Sequence, residues 1–173
     1  QQQQKTKQSK TKKQNKKRNV ELQEEEALGI PLVLAGRKGW NMDEFLNRIE
    51  EVYRRKIIVT GFIDDKDLPY VYHMADCFIF PSIYEGFGMP PLEAMAVGTM
   101  VISSDAASLP EVLGKAASYF RLGDKQELKE KMRLGIRQKT PDVSVEEVKR
   151  RIGMFQWEAS AKKIAREIHK GRK

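Results

Sequence analysis

Cysteine occurs once in the 173 residues, at Cys77, which excludes an internal disulfide and fits a reducing compartment. Histidine occurs twice, at His73 and His169, too few for a multi-histidine metal site. No apolar run approaches the roughly 18 residues that a membrane span needs. No secretory signal pattern opens the sequence. A cytoplasmic protein is therefore expected, at most peripheral to the inner face of a membrane. Residues 1–18 lack any acid and hold eight Lys and Arg, the last two being Lys17 and Arg18. Those eight equal the formal excess of +8, so residues 19–173 are neutral. The Gln/Lys-rich run has no apolar residue before Val20 and cannot bury a face, so 1–18 is expected to be a disordered basic tail. Nonspecific binding to RNA or to an anionic surface is the alternative reading of that tail. The neutrality of the remainder and its lack of interleaved aromatic and basic residues speak against a nucleic-acid partner.

What is present from Pro31 onward is alternation. Apolar runs at 31–36, 56–60, 76–80 and 100–102 read as buried strands, with a smaller one at 117–120. Helical patterns lie between them at 43–55, 66–75, from Pro91, and at 108–113. Residues 124 to the end read as mostly helical, broken near Thr140-Pro141 and Gly153. Continuous apolar strands alternating with amphipathic helices predict an α/β fold, a Rossmann-like doubly wound parallel sheet. Ligands of such sheets sit beyond the carboxyl ends of the strands. That marks the segments after Gly36, Gly61, Phe80 and Ile102.

The segment after Phe80 is the richest: Pro81-Ser-Ile-Tyr-Glu85-Gly86-Phe87-Gly88-Met89-Pro90-Pro91-Leu92-Glu93. It leaves a strand and opens a helix, where main-chain N–H groups can hold a phosphate. Gly86 and Gly88 allow close backbone approach or positive φ. Pro91 disfavours helical geometry at Pro90, which predicts Pro90 as the cap and Pro91 as the first helical residue. The amides of Gly88, Met89, Leu92 and Glu93 would then be left to serve an anion. A capping box through Glu93 would need an N–H that Pro90 lacks, which favours a ligand-binding Glu93, with a helix-dipole contact as the structural alternative.

The block from Glu85 to Glu93 resembles the signature of a large retaining glycosyltransferase family, the glycosyl transferases group 1 (family 4), of GT-B architecture. The neighbouring Ala94-Met-Ala-Val-Gly98-Thr-Met-Val-Ile102, Ser108-Leu-Pro-Glu-Val-Leu-Gly114 and Phe155-Gln-Trp157-Glu158 agree with it, and the resemblance covers about residues 30–168. It implies that residues 19–173 are the carboxyl-terminal, nucleotide-sugar-binding lobe, finished by closing helices. Glu85 would contact donor-sugar hydroxyls and stabilise a cationic transition state, so it is the catalytic candidate. Gly86, Phe87, Gly88, Met89 and Leu92 would line the sugar and phosphate site, and Glu93 would accept the ribose diol. An Arg and a Lys near an Asn-Val would neutralise the phosphates, and Lys17-Arg18-Asn19-Val20 is the only match. Gly61, Phe62 and Ile63 are candidates for the nucleobase pocket. The donor would be GDP-mannose or a UDP-sugar, with no cofactor and no metal.

Family members have about twice this length, with a second lobe that binds the acceptor. The sequence is therefore expected to be an excised domain, a truncated frame or half of a split enzyme, whose partner lobe reads a glycan or membrane-associated, lipid-linked acceptor. Glu21–Gly29 has a poor apolar stripe for the usual first helix. Alone, the lobe is expected to bind a donor, to transfer little or nothing, and to expose apolar cleft surface. A noncatalytic nucleotide-binding module is the other reading of the same motif.

Of the remaining candidates, Cys77 is expected in the core and His73 packed or at the surface. Asp64-Asp65-Lys66-Asp67 is expected to cap a helix rather than hold a metal. Trp157 is expected to anchor the final helix, with Ile164 and Ile168 on an adjoining face.

Overall fold

The computed structural model describes residues 30–39, 41–138 and 143–170. They fall into two compact units, one ending at Ile63 and the other starting at Asp64. The basic tail, with Lys17 and Arg18, and the segment Glu21–Gly29 lie outside the described residues.

In the first unit, β1 (Leu32–Ala35) and β2 (Ile57–Gly61) pair in parallel, Leu32 opposite Ile57 and Leu34 opposite Val59. Parallel neighbours need a crossover, and two short helices supply it, α1 (Met42–Asn47) and α2 (Glu51–Arg54). The sequence pattern predicts one helix over 43–55, but the chain leaves helical geometry at Glu50, whose ψ is 142°. Of its apolar positions Phe45, Leu46, Ile49 and Val52, only Leu46 is buried, and Phe45 and Val52 are exposed.

The second unit holds a parallel sheet in the order β3–β4–β5, formed by Phe78–Phe80, Val101–Ser104 and Ser118–Phe120. Before and between these strands run α3 (Leu68–Met74), α4 (Met89–Ala96) and α5 (Leu109–Leu113), the last followed by a 3-10 turn over Gly114–Ala116. The chain then forms α6 (Lys125–Gln138), α7 (Val145–Gly153) and α8 (Trp157–Lys170). All four residues of β4 are buried, as expected for a central strand of a parallel sheet covered on both faces. One cluster joins Val101 to Leu92, Leu109, Val112 and Leu113, and a second joins Met100, Ile102 and Phe120. Helix α6 approaches the second cluster through Gly135, where a Cβ would come within 3.3 Å of Cys77 and Met100 side-chain atoms.

The five strands thus match the predicted ones, divided between two parallel sheets. Trp157 does not anchor α8. It is 84% exposed, Ile164 and Ile168 are exposed too, and no residue of that helix is buried. Among the described residues no helix is long and apolar enough to cross a membrane.

Candidate functional site

The junction between β3 and α4 forms the centre of the site, and it departs from expectation at one point. Helix α4 starts at Met89, with Gly88 as its cap at φ 92°. Gly88 makes the turn in the left-handed region, and both prolines fall in the first helical turn. Proline's fixed φ suits that turn, and no N–H is required of it there. The consequence is chemical. In a helix that starts at Met89, the Leu92 and Glu93 amides bond within the helix, so the donors left for an anion are those of Met89 and the loop before it. The Leu92 side chain enters the core, at 7% exposure.

The loop itself is held by three serines. Ser104 Oγ, fully buried at the end of β4, donates to the Ser82 carbonyl at 2.6 Å. Ser82 Oγ donates to Glu85 Oε1 at 2.8 Å and so orients the carboxylate. Ser108 Oγ, just ahead of α5, donates to the Glu85 carbonyl at 3.0 Å, with the Phe87 carbonyl at 3.4 Å. Ala107 beside it has φ 49°, a left-handed geometry that costs a non-glycine residue about 1–2 kcal/mol. Strain of that kind gathers at functional loops. The segment after Ile102 was marked by its place at the strand edge, but serine has no spacing that would single these three out.

Glu93 projects from α4, half-buried, and Oε2 accepts the Tyr72 hydroxyl at 3.1 Å. Among the described residues no donor reaches Oε1. Burial first, and then the adjacent Glu93 charge, hold the Tyr72 hydroxyl well above its ordinary pKa, so it stays a proton donor. Phe87 meets Phe155 edge-on at 5.2 Å. Phe155 in turn lies 5.3 Å under the Arg151 guanidinium, whose Nε donates to the Val112 carbonyl at 2.7 Å. The turn between α7 and α8 therefore braces the glycine loop from outside. Met89 remains open to solvent, as do Ile83 and Tyr84.

Gly61, Phe62 and Ile63 belong to the first unit. There Phe62 is exposed and carries the Arg37 guanidinium 5.1 Å over its ring, a pairing that the sequence pattern does not reveal. His73 is exposed, with Nδ1 3.1 Å from the Val97 carbonyl. Asp67 caps α3 without a side-chain hydrogen bond, so this turn is wound by backbone bonds, Asp67 and Leu68 N–H to the Asp64 carbonyl, rather than by acidic capping.

Cys77 packs half-buried beside the second core cluster, and burial, followed by the Asp76 charge, pushes its thiol up to about 11. The thiolate is the reactive form. At pH 7.5 Cys77 is therefore expected to react with a maleimide at least about 100-fold more slowly than free cysteine, with the rate rising as pH approaches 11. Labelling as fast as free cysteine would contradict this.

The family model for glycosyl transferases group 1 matches residues 8–151, and the chain belongs to this family. Phe155 and Trp157 lie past the matched region. O-antigen chain mannosyltransferase B of Escherichia coli is 45% identical over 93 residues, 53% of this chain and 24% of that protein. The serotype-specific mannosyltransferase WbdA of E. coli is 41% identical over 105 residues, 59% of this chain and 13% of that protein. The chain thus spans about a quarter or less of the length of these relatives. Anabaena HepE, crystallised in complex with UDP, superposes with a TM-score of 0.69 at 20% identity, over 82% of this chain and 41% of that one. Sucrose-phosphate synthase of Thermosynechococcus elongatus gives 0.64 at 22% identity, over 80% and 38%. At such identities the likeness is one of fold, the parallel α/β architecture of a GT-B lobe.

Proposed function

We propose that this chain is the donor-binding, carboxyl-terminal half of a hexosyltransferase that uses a nucleoside-diphosphate sugar, with retention at the anomeric carbon. The observation that carries the reading is the pair of carboxylates on either side of the Gly88 turn. Glu85 is aimed by Ser82, Glu93 is engaged through Oε2 alone among the described residues, and the amides ahead of α4 are not consumed by the helix. A carboxylate has acceptor sites enough for a vicinal diol, so Glu93 takes the ribose hydroxyls. The Met89 amide and the Gly86–Gly88 backbone face the diphosphate. Glu85 contacts the sugar hydroxyls, and its negative charge stabilises the cationic sugar of the transition state. No metal is required for this.

Two mannosyltransferase relatives favour GDP-mannose as donor, and the UDP complex of HepE makes a UDP-sugar the second choice. The acceptor is a growing glycan or a lipid-linked one at the cytoplasmic face of a membrane, presented by a further lobe. Transfer needs donor and acceptor aligned in a closed, dry cleft. The purified chain is therefore expected to bind nucleotide and to transfer no hexose above background. Measurable transfer by the chain alone would overturn the two-lobe reading.

The first experiment is a calorimetric titration with GDP, UDP and ADP. Saturable binding of one nucleotide supports the donor site and names the base. The absence of binding by all three, in a chain folded by circular dichroism, sinks it.

A further inference from the structure

We propose that Tyr72 is a positioning residue for nucleotide binding: its hydroxyl locks the Glu93 carboxylate in the rotamer that offers Oε1 to the ribose diol. This rests on the donor-site reading above.

Tyr72 sits on α3 with 7% exposure, its ring edge-on to Phe78 at 5.2 Å. Its own carbonyl accepts the buried Thr99 Oγ1 at 2.7 Å, and the next residue's ring nitrogen lies 3.1 Å from the Val97 carbonyl. Thr99 and Val97 directly follow α4, so these tethers fix α3 against the end of the helix that carries Glu93. The phenol therefore has little freedom, and its 3.1 Å bond to Oε2 passes that rigidity to the carboxylate. Held through one oxygen, Glu93 presents the other without searching its rotamers. A binding group that is correctly placed only part of the time weakens apparent affinity by that fraction. Freeing Glu93 among the few staggered rotamers open to it would leave about a third to a tenth in place.

Tyr72→Phe keeps the packing and removes the bond. The test is calorimetry on the whole chain with the nucleoside diphosphate that binds among GDP, UDP and ADP, and with its 2′,3′-dideoxy analogue. The wild type should prefer the ribose form. Tyr72→Phe should lose about three- to tenfold on the ribose form and nothing on the dideoxy form, and should have no further effect in a Glu93→Ala background. Equal losses on both analogues would make Tyr72 a packing residue and overturn the inference. An unchanged preference for the ribose form would overturn it too. A wild type that binds both analogues equally would sink the ribose reading of Glu93, and this inference with it.

Discussion

Gly88→Ala is expected to lower the melting temperature of the chain by roughly 4–20 °C, while Gly86→Ala leaves it nearly unchanged. Two costs add at Gly88. Its φ of 92° lies where an L side chain is strained by about 1–2 kcal/mol. A Cβ there would also sit 2.7 Å from Leu109 Cδ2. Leu109 is fully buried in the cluster that joins β4, α4 and α5, so it cannot swing aside without displacing its neighbours. Overpacking of this kind costs about 1–3 kcal/mol. The sum, about 2–5 kcal/mol, gives that fall at about 2–4 °C per kcal/mol for a chain of this size. Gly86 differs on both counts: its φ is not positive, and a Cβ would meet nothing within 4 Å. Thermal unfolding of the two variants followed by circular dichroism makes the comparison. Equal melting temperatures for Gly88→Ala and wild type would show that the loop does not enter the helix through a left-handed glycine.

The contrast between those glycines also shows where sequence reading stops. Gly-Phe-Gly announces a loop that needs backbone freedom, but which glycine carries the turn depends on what packs behind it, and Leu109 lies 21 residues away in the chain. The same holds for the prolines. Pre-proline geometry argues for a helix starting at Pro91, yet the turn at Gly88 moves the start to Met89 and removes the Leu92 and Glu93 amides from the candidate anion site. The strands were legible because a run such as Met100-Val-Ile102 is continuous, β-branched and bounded by turn residues. Glu85 and Glu93 stand out in the sequence because their spacing around the glycines resembles a family signature, and the roles it implies are those proposed above. Ser104, Ser108 and Tyr72 do not stand out, since each bonds to a group more than 20 residues away, and Ser82, three residues from Glu85, has no spacing that marks it. The break in the helix pattern over 43–55 has no proline or glycine to announce it, and the structure gives it no single cause.

Glu93→Ala is expected to weaken nucleotide binding about 30- to 5000-fold. Two effects of opposite sign compete. Removing a negative charge near a diphosphate relieves repulsion. At about 7 Å, roughly the reach of a nucleoside, that relief is worth about 1 kcal/mol in water once salt screening is counted. Against it stands the loss of two hydrogen bonds from ribose hydroxyls to an ionised acceptor, each worth about 1.5–3 kcal/mol. The hydrogen bonds win by about 2–5 kcal/mol, which gives the stated range. The alanine variant also strips the buried Tyr72 hydroxyl of its acceptor, at about 1–3 kcal/mol of stability, so folding must be checked alongside binding. Glu93→Gln separates the two consequences. Its amide oxygen still accepts one bond, so stability should hold while affinity falls by about tenfold. If Glu93→Ala binds as tightly as wild type, the repulsion term has no diol interaction opposing it, and the carboxylate is a helix-dipole partner rather than a nucleotide ligand.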